Sequence, residues 1–233
     1  MIALHSFKNR LEAGALLAQR LTGYAGRDDV LVLALPRGGV PVGFAVSQAL
    51  RLPLDIMLVR KLGVPGHEEY AMGAIASGGG SVLHRDVLNS LGITMATVEQ
   101  ITRREVAELA RRERLYRANR PPLALQGRTV ILVDDGLATG ATMQAALQSA
   151  KAGKPARIVV AIPVAPPDTC RNLRGQADDI VCLLSPEYFQ AVGQWYEHFD
   201  QTSDDEVIDL LAQADRAQAA RVRPARAAQA PDS

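Results

Sequence analysis

Four stretches of the chain are apolar without alternation: residues 30–35, 130–133, the strand 157–164 after its first residue Arg157, and 180–184. Unbroken runs of Val, Ile and Leu of this length read as strands covered on both faces, as in a parallel sheet. Residues 54–59 read as a further strand, ending at the basic pair Arg60-Lys61. Between the strands the spacing becomes helical, over residues 9–21, 42–50, 86–91, 143–151 and 168–173. Thr94 can cap a long helix continuing to about residue 119, with Val98, Ile101, Val106, Leu109 and Tyr116 on one face. Residues 71–77 and 81–83 flank Gly78-Gly79-Gly80 and carry a hairpin signal. Residues 62–70, rich in Gly, Pro, His and Glu, lack apolar periodicity and read as a loop. Ser203-Asp204-Asp205-Glu206 is a capping-box pattern that opens a helix through Leu211. From Ala212 onward hardly any large apolar residue remains, which predicts a frayed or disordered tail over 212–233. Alternating strands and helices predict an α/β fold, a central parallel sheet flanked by helices, in one domain over residues 1–211.

Composition narrows the function classes. A length of 233 residues with 48% hydrophobic and 22% charged residues is enough for one ordinary α/β core with appendages. A net charge of +1 gives no bulk attraction to nucleic acid, despite local arginine clusters. Arg103, Arg104, Arg111 and Arg114 lie opposite the apolar face of the long helix, but Glu105, Glu108 and Glu113 are interspersed, as on a solvated face with i,i+4 pairs. The same helix is a candidate element for a homodimer. Cys170 and Cys182 have neither metal spacing nor a disulfide-framework pattern. The first ten residues lack the apolar run of a signal peptide, and no run of about 18 apolar residues occurs, so a cytoplasmic protein without a membrane span is expected.

The candidate chemistry gathers at two strand ends. The run 130–133 passes into Asp134-Asp135-Gly136-Leu137-Ala138-Thr139-Gly140-Ala141-Thr142 and then a helix. A strand, a glycine-containing turn and a helix N-terminus form an anion cradle, because free N–H groups and the helix dipole face the turn. No lysine stands in the turn, so it is not the phosphate loop of nucleoside triphosphatases. Asp134 and Asp135 would repel a phosphate; they suit hydroxyl groups, a cation, or positive charge arising elsewhere on the same ligand. A sugar phosphate meets both demands. The run 30–35 leads into a second strand–turn–helix unit, Pro36-Arg37-Gly38-Gly39, which is either another anion cradle or a turn needing glycine for geometry alone. His67, Glu68 and Glu69 could supply an acid or base from the 62–70 loop, or be solvated. His67-Glu68-Glu69 lacks the second histidine of a zinc-hydrolase helix. Tyr188, Phe189, Trp195, Tyr196 and Phe199 cluster in a chain only 4% aromatic, so they form either a satellite core or a platform for a planar base.

The stretch 130–142 resembles the phosphoribosyl pyrophosphate (PRPP) loop of the type I phosphoribosyltransferases: four apolar residues, two acids, three variable positions, then Thr-Gly-x-Thr. Pro36-Arg37-Gly38-Gly39 is similar to that family's pyrophosphate loop, and Arg60-Lys61 to its basic dipeptide. Together these look most like a stand-alone bacterial branch whose acceptor is not established, and the resemblance covers residues 30–199. It implies a type I phosphoribosyltransferase fold, Rossmann-like with a small hood built from the 62–70 lid and residues 185–200. It implies transfer of ribose 5-phosphate from PRPP to a nitrogenous base with release of pyrophosphate, in nucleotide synthesis or salvage. Asp134 and Asp135 would be catalytic. Pro36, Arg37, Gly38, Gly39, Arg60, Lys61, Ala138, Thr139, Gly140, Ala141 and Thr142 would bind PRPP, and Mg²⁺ would be held mainly through PRPP, without a protein metal site. Ala138 stands where 6-oxopurine members carry an aspartate, which favours adenine or a non-purine. A non-catalytic PRPP-binding regulator is the competing expectation; a sugar-phosphate hydrolase is disfavoured for want of a nucleophile motif.

Overall fold

The computed structural model describes residues 6–77, 80–117 and 120–227. In chain order the regular elements are α1 (Arg10–Arg20), β1 (Val30–Ala34), α2 (Gly39–Leu50), β2 (Leu54–Ile56), β3 (Val59–Val64), β4 (His67–Ala76), β5 (Ser81–Leu83), α3 (Arg85–Ser90), α4 (Met95–Arg117), β6 (Thr129–Val133), α5 (Ala141–Ala152), β7 (Arg157–Val164), α6 (Pro167–Leu173), β8 (Asp179–Leu184) and α7 (Asp204–Ala227). Five strands form a parallel sheet in the order β2-β1-β6-β7-β8, and β3-β4-β5 form a separate antiparallel sheet. This is the central sheet with flanking helices that the apolar runs predict.

The runs are continuous because both faces of the sheet are covered. Val30, Val32, Ala34, Ile131 and Val133 face the core shared with α2 and α7, while Leu31, Leu33, Val130 and Leu132 face the core under α5 and α6. Burying each of these Val, Leu and Ile side chains is worth about 1.5–3 kcal/mol, so the central strands contribute heavily to the stability of the domain.

Several boundaries differ from expectation, each for a physical reason. The run 54–59 is two strands. β2 ends at Ile56, and after Met57 and Leu58 the chain enters β3 of the second sheet, so Arg60-Lys61 lies inside an antiparallel strand. Residues 62–70 are not a loop. They complete β3, turn at Pro65-Gly66 and start β4, with Lys61 opposite Ala74 and a register shift at Gly63. Helices lie on both faces of this small sheet and its hairpin end is polar, so no period-2 alternation is written in the sequence. The helix predicted from Val42 starts at Gly39, and the tail predicted to fray from Ala212 continues α7 to Ala227. α7 packs Val207, Leu210, Leu211 and Ala214 into the core; residues 228–233 lie outside the described residues. On α4, Val98, Leu109 and Tyr116 are buried as predicted, but Val106 is exposed and Glu105 is buried in its place. Gly78 and Gly79 of the predicted hairpin turn also lie outside the described residues.

Candidate active site

The strand order places the site. From β1 the chain moves outward to β2, whereas from β6 it moves the other way to β7 and β8. The direction reverses between β1 and β6, and in parallel sheets ligands bind beyond the strand ends at such a reversal. The loops leaving β1 and β6 are the Pro36–Gly39 turn and the Asp134–Thr142 turn.

The two turns touch. Leu35 N–H donates to the Val133 carbonyl at 2.8 Å, continuing the ladder past both strands. A Cβ on Gly38 would lie 2.0 Å from Asp135 Oδ2, and one on Gly39 would lie 2.8 Å from the Val133 carbonyl oxygen. Only glycine lets the first turn close on the acids. The Pro36–Arg37 peptide is cis. The Arg37 guanidinium pairs with Asp204 at the start of α7, at 3.4 Å, and Asp204 also accepts from the Tyr116 hydroxyl. Burial and the Asp204 carboxylate together push the Tyr116 phenol up to about 12.

Beyond β6, the Asp135 N–H donates to Asp134 Oδ1 at 2.9 Å, which fixes the first acid. Burial, then the charge of Asp135, holds the Asp134 carboxyl well above the usual carboxylate range. Burial also raises Asp135, opposed by Arg10, whose Nε lies 2.8 Å from Asp135 Oδ2. Leu137 N–H donates to the Val164 carbonyl at 2.9 Å, and the Thr169 hydroxyl donates to the Ala138 carbonyl at 2.6 Å. Gly140 takes φ +76° and starts α5, a conformation that strains any residue with a Cβ. Ala138, Thr139 and Thr142 are exposed. Among the described residues the N–H groups of Thr139, Gly140 and Thr142 have no protein acceptor, as is usual at the open first turn of a helix.

The basic dipeptide is split. Lys61 lines a narrow crevice between the second sheet and α5 together with Ala141 and Thr142, which brings it to the turn after β6. Arg60 turns toward α4, where its Nε and Nη2 lie 2.8 and 2.6 Å from the buried Glu105, which Arg104 also contacts. A cavity of about 650 Å³ opens there, between the β3–β4 turn and α4, lined by Arg60, Lys61, Gln100 and Arg104 but by neither acid. His67 and Glu68 are exposed on the hairpin; the Glu69 side chain lies outside the described residues. Three further arginines of α4 are paired within the helix, Arg103 with Glu99, and Arg111 and Arg112 with Glu108, while Arg117 pairs with Asp55 of β2.

Four of the five aromatic residues, Phe189, Trp195, Tyr196 and Phe199, join a satellite core with Phe7. Tyr196 packs on Phe7 and Phe199 with ring centroids 5.3 and 5.0 Å apart, and Phe189 stacks on Trp195. Of the five aromatics, Tyr188 alone is widely open, at 90% exposure. The cluster still reaches the site, because the Tyr196 hydroxyl donates to the Asp135 carbonyl at 2.5 Å. Sequence reasoning missed this contact, and it missed Arg10, Thr169 and Asp204. Nothing local marks them; Arg10 and Asp135 are 125 positions apart.

No helix among the described residues is long and apolar enough to cross a membrane, and none of their His, Cys, Asp and Glu residues group as a metal site. The sequence profile of the phosphoribosyl transferase domain matches residues 74–198. Two Mycobacterium tuberculosis proteins, from strains CDC 1551 and H37Rv, each named "Putative phosphoribosyl transferase", are 47% identical over 210 residues. The alignment takes in 90% of this chain but 47% of each relative, so the chain spans about half of their length. The crystal structure of TT1426 from Thermus thermophilus superposes with a TM-score of 0.80 at 42% identity, over 89% of this chain and 98% of that one. With the two turns meeting at the reversal of the sheet and the profile spanning more than half the sequence, the chain belongs to the phosphoribosyl transferase domain family.

Proposed function

We propose that the chain transfers the ribose 5-phosphate group from PRPP to a nitrogenous base, releasing pyrophosphate. The carrying observation is the contact of the two turns, with Gly38 and Gly39 closed onto Asp135 and Asp134. One ligand bearing a phosphate at one end, hydroxyls in the middle and a diphosphate at the other end spans both.

In this reading the N–H groups of the 138–142 turn and the hydroxyls of Thr139 and Thr142 hold the 5-phosphate. Asp134 and Asp135 accept from the ribose hydroxyls and face the positive charge that develops on the ring as the bond to pyrophosphate breaks. The backbone of the Pro36–Gly39 turn, Arg37 and Lys61 receive the pyrophosphate. Arg37 must exchange Asp204 for it, and Arg60 serves only if it leaves Glu105. Mg²⁺ would be carried in on the diphosphate, with Asp134 and Asp135 beside it, and would supply positive charge to neutralise the leaving group. Much of the catalysis is then positioning of a preformed electrophile. The acceptor would enter beside Ala138, whose small side chain offers no carboxylate to a ring nitrogen.

The test is pyrophosphate release from PRPP and Mg²⁺ with a panel of purine, pyrimidine and pyridine bases, with Asp134→Asn/Asp135→Asn as control. Base-dependent release that disappears in the control is expected. PRPP binding without release for any base would overturn the transferase reading and leave a PRPP-binding regulator.

A further inference from the structure

Given the binding of a ribosyl phosphate at this site, as proposed above, we infer that Arg10 is a positioning residue of the acid pair: it holds Asp135 by Oδ2 so that Oδ1 is presented to a ribose hydroxyl. Arg10 opens α1, far from both turns in sequence, yet its side chain is only 12% exposed and makes three separate contacts. Its Nε lies 2.8 Å from Asp135 Oδ2, its Nη1 donates to the Asp200 carbonyl at 2.7 Å, and its guanidinium carbon sits 3.9 Å from the centre of the Phe199 ring. Among the described residues it is the one cation paired with either acid.

The backbone around Arg10 is fixed as firmly as its tip. Phe7 bridges Tyr196: the Phe7 N–H donates to the Trp195 carbonyl and the Glu197 N–H to the Phe7 carbonyl, both at 2.8 Å. The His198 N–H donates to the Lys8 carbonyl at 3.0 Å, and Asn9 caps α1 through the Glu12 N–H. Residues 7–10 and 195–200 are therefore zipped together, and Arg10 is the last tooth. Tyr196, in the same zip, holds the Asp135 carbonyl. Asp135 is thus gripped at its backbone and at Oδ2 by one assembly, and the Gly38 backbone also lies closest to Oδ2. A carboxylate without this grip can rotate its second oxygen out of line, and a hydroxyl acceptor loses its value when misaimed. A role confined to fastening α1 to the aromatic cluster would need only Asp200 and Phe199, not the acid.

Affinity for ribose 5-phosphate against 2-deoxyribose 5-phosphate, by calorimetry on the full chain, isolates the hydroxyl from the phosphate. The wild type should prefer the ribose form by about tenfold, the worth of one hydrogen bond to a charged group. Arg10→Gln should cut that preference to about twofold or less while still binding both sugars, and Arg10→Lys should recover part of it, since an ammonium can still pair with Oδ2. Thermal unfolding of each variant reports whether the fold survives, and Arg10→Lys keeps the comparison usable if Arg10→Gln unfolds. Undiminished preference in a folded Arg10→Gln overturns the role of Arg10 and leaves the proposed function standing. Absence of preference in the wild type overturns both.

Discussion

Asp134 is the residue whose environment most opposes its charge. Its carboxyl is held above the 3.8 of a free aspartate by burial and by Asp135. Between those two values the folded chain binds more protons than the unfolded one, so this group favours folding at low pH and that favour is lost as the pH rises through the raised value. Asp134→Asn removes the penalty. It should raise the neutral-pH Tm by about 2–4 °C, the equivalent of roughly 1 kcal/mol in a chain of this size, while abolishing turnover. Urea midpoints for both proteins across pH should converge near pH 4; a gap that stays constant with pH would show that Asp134 is not the source. Gly38→Ala tests the neighbouring turn. Its methyl would meet Asp135 Oδ2 at 2.0 Å and Cγ at 2.6 Å, so the turn and the acid must part. Ribose 5-phosphate affinity measured by calorimetry should fall by about tenfold or more, as displaced binding groups lose their alignment. Both acids and this glycine are legible in the sequence because each sits within a short motif. Arg10 and Tyr196 are not, since what they touch is distant in the chain.

At the level of elements, legibility follows burial. The central strands are visible as unbroken apolar runs because helices cover both faces. The β3–β4 hairpin is not, because Arg60 and Lys61 stand where a strand covered on both faces would carry apolar residues, and both are engaged by neighbours rather than by water alone. α7 is hidden for a different reason: past Leu211 it packs with alanine, and the period of a small-residue face is faint. The joint between β3 and α4 makes a prediction of its own. Glu105 is buried between Arg60 and Arg104, so removing it strands a guanidinium in a half-buried place. Glu105→Ala should cost about 2 kcal/mol, less than a fully buried pair because Arg60 still reaches water. Arg60→Ala should cost less, and the double variant should cost less than the sum. Four urea-denaturation curves close that cycle, and additivity would mean the pair carries no coupling.

Over the whole molecule the candidate site is a set of charges paired within the protein. Asp135 holds Arg10, Asp204 holds Arg37 and Glu105 holds Arg60, each from a different helix. These pairs tie three helices to the two turns and to β3, and in the proposed reading a diphosphate would have to draw Arg37 from Asp204 and Arg60 from Glu105. That competition would make diphosphate binding depend on α4 and α7 as well as on the two turns. A ligand that binds only the folded chain stabilises it by mass action, by about 2.7 kcal/mol at a hundred times its dissociation constant. For a domain of this length that is a Tm increase of about 5–10 °C. PRPP with Mg²⁺ should produce such an increase in the wild type, and Asp134→Asn/Asp135→Asn should show little of it at the same concentration. Inorganic pyrophosphate should give a smaller shift that survives in the double variant, because in the proposed reading Arg37, Lys61 and the Pro36–Gly39 backbone would receive it rather than the acids. An equal shift with PRPP in both proteins would mean that the acids do not hold the ribose, and the division of labour between the two turns would have to be redrawn.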